Sequence, residues 1–268
     1  MESNIAKELG CEFNPIVLIK SDKIDENAFG PKSNRGGCVM PFIAQTIAKR
    51  KTTIFGRENA SCGGIKPGFG WGNGFKSKDD LEFQATFLSF GIDSAKDKKN
   101  YIKSLENKPK PIREMFTEGE RIYADFDTAC KHISSRPIYD TEDYVIFKAI
   151  ENLDDGEIPN SVIFTVNAFE LTLLMQLDGS FRSETNYLMV PQASACQSIA
   201  CFVFEQNDND DPHLVLGPTD ISARKHIHRL IPSDYLTVAM PWDLFLKLEN
   251  LSKNSVFQTK LYKKIKEY

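Results

Sequence analysis

Short runs of β-branched and other apolar residues alternate along this chain with longer segments that have helical spacing. The runs NPIVLIK, TTIFG, YVIFK, SVIFTV and LTVAM each have the length and composition of a buried strand. Between them, segments such as PFIAQTIAK and AFELTLLMQLDG repeat apolar residues at the spacing of a helix with one buried face. This alternation predicts an α/β fold in which helices pack on one or more mixed sheets.

The same order of elements occurs twice. A cysteine, a helix, a strand and a loop follow one another from Cys38, and again from Cys196. We therefore predict two similar βα halves, residues 1–108 and 109–268, packed closely as one globular unit. An internal duplication is a hypothesis that this order raises.

The boundary between the halves is placed at the segment NKPKPIREMF. Pro109 and Pro111 interrupt the hydrogen bonding of both helices and sheets, so this segment is interpreted as a connector. The first half contains a glycine-rich loop after residue 58, and the second half is an α/β unit.

Composition and charge indicate which classes of binding partner are unfavourable for this protein. Of 268 residues, 41% are hydrophobic, which is enough to build a sizeable core. Lys and Arg number 33 against 37 Asp and Glu, so the net charge of −4 does not favour nucleic acid. The first residues lack the pattern of an export signal, and no apolar run is long enough to span a membrane. We expect a cytoplasmic protein without a membrane or nucleic-acid partner.

Three cysteines lie at the ends of predicted helices or strands, and this placement indicates a metal or cluster site. Cys38 and Cys196 lie at predicted helix starts, and Cys62 follows a predicted strand. In open α/β sheets such ends face a crevice where ligands bind. Three thiolates converging there would bind an iron–sulfur cluster or another thiophilic metal. The opposing interpretation is that the cysteines are unconnected and merely buried, as cysteines often are.

The stretch ENASCGGIKPGFGWGNGF is rich in glycine and follows a strand. Gly63 and Gly64 would expose backbone N–H groups to a bound anion. The spacing matches neither the Walker nor the dinucleotide-binding pattern. An alternative function is therefore a binding module for a small anionic metabolite. In that alternative Lys20, Arg57 or Arg224 supplies charge, and the cysteines are only structural.

A third hypothesis makes Cys62, on its tight glycine turn, a nucleophile. The general base would then be a histidine, and the chain has four: His132, His213, His226 and His228. Their spacing assigns none of them to Cys62, so no reaction is predicted from it.

Several of these motifs, taken in order, resemble one family. NPIVLIK, CVMPFIAQTIAK, ENASCGGI, SVIFTVNAFELTLLMQLDG, ACQSIACFVFE and LTVAMP together resemble the ArCR family, also called domain of unknown function 169. The likeness runs from about Leu9 to about Leu248. That family has no established activity, so the resemblance implies a fold and the positions of site residues.

The resemblance implies site positions at Lys20, which ends the first strand, and at the three cysteines. It also implies a cysteine in many members at the position that Gly217 occupies here. We expect a crevice built from these positions and bordered by basic residues: Cys38, the turn from Cys62 through Gly63 to Gly64, Cys196, Gly217, Lys20, Arg35 and Arg57. The leading prediction is binding of an iron–sulfur cluster or thiophilic metal, in a redox or metal-handling role.

Overall fold

The structure is a computed structural model that describes residues 1–31, 37–59, 62–74, 77–217 and 220–266. It divides into two compact units, Met1–Gly72 with Ile138–Tyr268, and Asn73–Pro137. These units do not coincide with the halves 1–108 and 109–268. The division into two similar halves and the internal duplication stay predictions.

The larger unit is built on a seven-stranded sheet. Its strands are β1 (Phe13–Ser21), β2 (Thr53–Gly56), β3 (Tyr144–Ala149), β4 (Ser161–Val166), β5 (Leu188–Met189), β6 (Leu214–Gly217) and β7 (Leu236–Met240). Their spatial order is β2-β3-β1-β4-β7-β6-β5. Neighbours pair antiparallel except β5 and β6, which are parallel. The predicted α/β fold with a mixed sheet is confirmed.

The described α-helices follow in chain order. They are α1 (Asn4–Leu9), α2 (Met40–Lys49), α3 (Ile65–Phe69), α4 (Lys78–Leu88), α5 (Lys98–Leu105), α6 (Lys110–Glu118), α7 (Phe126–Ser134), α8 (Ala168–Gly179), α9 (Ala195–Ser198), α10 (Cys201–Asn207), α11 (Ile221–Ile227), α12 (Trp242–Ser252) and α13 (Lys260–Ile265). Short 3-10 turns connect some of these elements. Among the described residues, no helix is both long enough and apolar enough to cross a membrane.

Alternation along the strands buries both faces of the sheet. In β1, Ile16 and Leu18 point to a core shared with α2, α3, α9, α10 and α11. Val17 and Ile19 point to the opposite core, shared with α1, α8, α12 and α13. Successive strand side chains project to opposite faces, so apolar runs without polar alternation are expected where helices cover both. The first of these faces carries the cysteines discussed below.

Two prolines begin a helix where the sequence predicts a connector. Pro109 occupies the N-cap position of α6, and Pro111 lies in its first turn. The N–H groups of a first helical turn have no partner inside the helix, so proline costs no hydrogen bond there. The interpretation of NKPKPIREMF as a connector is wrong for this reason.

The segment SACQSIACFVFEQ forms two helices instead of one. Cys196 lies in the first turn of α9, and the chain turns at Ala200, whose φ of −133° and ψ of −90° end the helical path. The later segment PTDISARKHIH contains α11. Asp220 caps that helix by accepting a hydrogen bond from the N–H of Ala223 at 2.7 Å.

The smaller unit consists of α4, α5, α6 and α7 around its own apolar core. Phe87 stacks on Phe116 with ring centroids 4.0 Å apart. Gly91 and Gly119, at φ of +56° and +78°, lie back to back. A Cβ at Gly119 would lie 2.3 Å from the Gly91 nitrogen and 2.6 Å from the Ser89 oxygen. Only glycine allows these two backbone segments to approach so closely.

We predict that Gly119→Ala destabilises the protein by about 2 kcal/mol or more, because it adds a backbone clash to the strain of a positive φ. Gly156→Ala is the matched control, since Gly156 has a φ of +86° but an added Cβ there meets nothing within 4 Å. Urea unfolding followed by circular dichroism measures both. Equal losses in the two variants would contradict the packing argument.

Candidate functional site

The three predicted cysteines lie on the same side of the sheet, and two of them act electrostatically on the third. Cys196 is buried in α9, Cys38 packs against the same apolar core just before α2, and Cys62 is exposed just before α3. Burial raises the pKa of the Cys196 thiol well above its usual range, and the nearby thiolates of Cys62 and Cys38 raise it further. The sulfur atoms of Cys62 and Cys38 therefore each lie within electrostatic reach of that of Cys196.

Two glycines allow α3 to lie directly against Cys196. A Cβ on Gly68 would lie 3.4 Å from the Cys196 Sγ and 3.3 Å from the Gln197 Cγ. A Cβ on Gly64 would lie 3.7 Å from the same Sγ and 3.1 Å from the Ser194 Oγ. The glycine-rich stretch can thus lie this close to α9 because glycine has no side chain at these two positions. The sequence predicted a site position at Gly64 and missed Gly68.

Polar contacts fix the same junction. The carbonyl oxygen of Gly64 accepts hydrogen bonds from the Gln197 Nε2 at 3.3 Å and from the Cys196 Sγ at 3.6 Å. The other end of the fully buried Gln197 amide accepts from the Ser194 N–H at 3.2 Å, which completes a capping box at the start of α9. Gln197 therefore holds Cys196 in position, a role that sequence reasoning missed.

Part of the glycine-rich stretch is a buried helix. Gly64 precedes α3 and is buried, whereas Gly63 is half-buried. Phe69 anchors α3 through ring contacts with its neighbours, including Phe147 at a centroid distance of 5.6 Å. A helix this short forms because packing stabilises it, which a local pattern does not reveal. The N–H of Gly68 donates to the Gly64 carbonyl at 3.1 Å, so it is used within the helix.

Gly217, at the end of β6, has no room for a side chain. A Cβ there would lie 2.4 Å from both the Ser198 Oγ and the Thr237 Oγ1. These hydroxyls come from the end of α9 and from the neighbouring strand, where Thr237 pairs with Gly217. Gly217 is thus a point of contact between the sheet and α9.

Lys20 lies on the cysteine-bearing face, since it alternates with Ile19 along β1. Its Nζ is 3.5 Å from the Glu142 Oε2 and 4.9 Å from the centre of the Phe204 ring. Burial opposes ionisation of Glu142, but a backbone hydrogen bond and the charge of Lys20 together lower the pKa of its carboxyl group. The charge of Lys20 is therefore neutralised within the fold.

Two other cations predicted for the site also have partners within the chain. Arg57 forms ion pairs with Asp140, at 2.5 Å from Nη1, and with Asp143, at 3.2 Å from Nε. Arg224 donates a hydrogen bond to a backbone carbonyl group. Arg35 lies outside the described residues. Binding of a small anion by Lys20 or Arg57 would have to compete with carboxylates of the chain itself.

Three of the four histidines have contacts at other places in the chain. His132 stacks on Tyr123 at 4.8 Å in the smaller unit, and His228 bonds to the Lys225 carbonyl oxygen at 2.8 Å. His213 lies 3.8 Å from a carboxylate oxygen of Asp211. These contacts add nothing to the nucleophile hypothesis for Cys62, which stays a prediction.

One group of oxygen and nitrogen ligands resembles a cation site. Among the described residues, Glu184, Asp211 and His213 form the group of three potential metal ligands whose atoms all lie within 4.8 Å of one another. The buried Arg182 lies beside them, with its Nη1 3.6 Å from Glu184 and 3.1 Å from Asp211. Its guanidinium group offsets part of the negative charge of this acidic pair and also pairs with Asp178 at 3.0 Å. The three cysteine sulfurs do not form such a group, so at least one pair of them is more than 4.8 Å apart.

Comparison with known proteins agrees with the resemblance carried by the motifs. The family described as uncharacterised ArCR, domain of unknown function 169, matches residues 4–250. Neither the curated proteins nor the solved structures contain a match to this chain.

We predict the order in which cysteines of the metal-free protein react with iodoacetamide. Cys62 should react first because it is exposed, Cys38 second, and Cys196 at least about tenfold more slowly than Cys62, because burial and a raised pKa suppress its thiolate. Timed labelling with peptide mass spectrometry gives the three rates. The fully buried Cys201 is the control for slow reaction. A Cys196 that reacted as fast as Cys62 would contradict the described burial.

Proposed function

Because the chain belongs to the uncharacterised ArCR family, we propose its function from the site itself: Cys38, Cys62 and Cys196 together bind an iron–sulfur cluster. The observation that carries this proposal is that three separate segments bring these cysteines together: Cys38 and Cys196 pack in one core, and the segment just after Cys62 lies against the Cys196 sulfur at Gly64 and Gly68. The electrostatic effect of Cys62 and Cys38 on Cys196 agrees with this proximity. Location in the cytoplasm and the lack of a nucleic-acid partner remain predictions from composition.

The sulfurs are not arranged as ligands of one tetrahedral ion. Four ligands around one tetrahedral zinc ion, at bonds of about 2.3 Å, bring their sulfur atoms to about 3.8 Å from one another. The three sulfurs here are not all within 4.8 Å of one another. Thiolates that bind different iron atoms of one cluster are held further apart, so a cluster does not require them to be that close.

Electrostatics support a bound cation at this position. Each thiolate raises the cost of ionising Cys196 in a site that water does not solvate well. Iron neutralises thiolate charge and so removes this repulsion, which is why metal binding deprotonates cysteine ligands. Lys20 and Arg57 have carboxylate partners of their own. A metal centre is therefore the natural counter-charge for the three sulfurs.

The position of the cysteines agrees with a redox or metal-handling role. Cys196 is buried, whereas Cys62 is exposed at the turn before α3. A cluster bound between them would have a protected side and a side open to solvent. Exchange of electrons or of metal with a partner would take place at the exposed side, since solvent exposure and hydrogen bonds to sulfur tune such centres.

Anaerobic reconstitution with iron and sulfide tests the proposal. The wild-type protein should become brown, with broad absorption in the visible range and about four iron atoms per chain. Cys38→Ser, Cys62→Ser and Cys196→Ser should each lose most of that iron and colour, because each removes a thiolate ligand. Cys130→Ser, a change in the smaller unit, and Cys11→Ser, on the opposite face of the sheet, are the controls and should bind as the wild type does.

Two results would contradict the proposal. A colourless protein with no iron after reconstitution would reject the cluster. Equal iron in the wild type and in all three site variants would place the metal elsewhere. If the metal-free protein were instead stabilised by phosphate in a thermal-shift assay, the alternative of an anionic metabolite would gain support.

A further inference from the structure

A four-iron cluster that is held by three cysteines has one iron atom without a cysteine ligand. The end of β6 reaches this side of the sheet at Gly217, but it offers no ligand. The space in front of Gly217 is taken by the hydroxyl groups of Ser198 and Thr237, which are 1% and 5% exposed. A ligand for the remaining iron must therefore come from another position of the chain or from solution.

Asp220, three residues beyond Gly217, brings a carboxylate next to the residue that precedes Cys196. Its Oδ2 accepts a hydrogen bond from the N–H of Ala195 at 2.9 Å, and Ala195 is the residue next to Cys196. The negative charge of Asp220 acts on the Cys196 sulfur along with those of Cys62 and Cys38. Asp220 thus acts on the same sulfur as Cys38 and Cys62 do. No pattern in the sequence singles it out.

The hydrogen bonds of Asp220 leave it able to bind metal. Its Oδ1 accepts from the Ala223 N–H and from the Ser222 Oγ, each at 2.7 Å, and its Oδ2 accepts from Ala195 alone. An ionised carboxylate has about four acceptor positions, so three hydrogen bonds leave about one unused. The same bonds orient the group, as is usual for carboxylates that ligate metals.

We propose that Asp220 is the fourth protein ligand, coordinating through its carboxylate the iron atom that the three cysteines leave open. This inference rests on the proposed function and specifies the ligand set as three sulfurs and one oxygen. Iron of a sulfide-bridged cluster prefers soft thiolate ligands, so an oxygen ligand holds its iron less firmly than cysteine does. The iron atom at Asp220 is therefore the exchangeable one, where an exogenous ligand enters.

Controlled removal of this iron tests the assignment. Reconstituted protein is treated anaerobically with ferricyanide and an Fe(II) chelator. The four-iron cluster gives up one Fe²⁺ ion to the chelator and one electron to ferricyanide, and a three-iron cluster remains. In the wild type we expect loss of one iron atom and appearance of the paramagnetic signal of the oxidised three-iron cluster. Asp220→Cys should lose this iron at least about tenfold more slowly, because thiolate is the softer ligand.

Asp220→Asn should already contain about three iron atoms per four sulfide ions after reconstitution, because a neutral amide is a poor iron ligand. Asp125→Asn is the matched control. Asp125 caps α7 in the smaller unit by accepting a hydrogen bond from the Thr128 N–H at 2.7 Å, as Asp220 caps α11, so this variant loses a capping carboxylate away from the cysteines and its iron content and rate of loss should equal those of the wild type. Circular dichroism and thermal unfolding establish whether each variant is folded. If Asp220→Asn does not fold, the rate of iron loss from Asp220→Cys alone tests whether Asp220 is a ligand.

The possible failures are distinguishable. If the wild type binds a four-iron cluster but Asp220→Asn and Asp220→Cys match it in iron content and rate of loss, Asp220 is not a ligand and the three-cysteine site stands. If the wild type binds no iron at all, the proposed function fails, and the assignment of Asp220 fails with it.

Discussion

The contact between α3 and α9 determines whether this chain has a cysteine site at all. Cys62 and Cys196 are far apart in sequence, and they meet because Gly64 and Gly68 present bare backbone to the helix that carries Cys196. The Gly64 carbonyl group then receives hydrogen bonds from Cys196 and Gln197. A side chain at either glycine would press on α9 and move Cys196 away from the turn at Cys62.

Under the proposed function, a bound metal centre is the counter-charge of the ionised sulfurs, because the cations of the chain are engaged elsewhere. Lys20 and Arg57 border this side of the sheet, but each is held by carboxylates. Cys196 carries the combined effect of burial, two neighbouring thiols and Asp220, all of which disfavour its thiolate. A bound cationic centre reverses that balance, because the ionised sulfurs then gain an attractive partner. Site geometry and electrostatics thus favour the same class of ligand.

Periodicity was enough to predict the strands β1, β3, β4 and β7 and the helices α2 and α8, because each buries a long apolar face. It failed where tertiary packing decides the local structure, as in α3, and where Pro109 and Pro111 begin α6 instead of interrupting it. The cysteines could be selected from the sequence because they lie at the ends of predicted helices and strands. Asp220 and Gln197 could not be selected, because their contacts depend on which elements become neighbours in a sheet of largely antiparallel strands.

Iron-edge anomalous diffraction from crystals grown without oxygen, after reconstitution, tests the central claim most directly. The account predicts a compact group of iron peaks within bonding distance of the sulfur atoms of Cys38, Cys62 and Cys196, on the face of the sheet that packs against α3 and α9. Iron peaks that lay away from these sulfurs, or sulfur atoms pointing into separate apolar interiors with no iron between them, would contradict it.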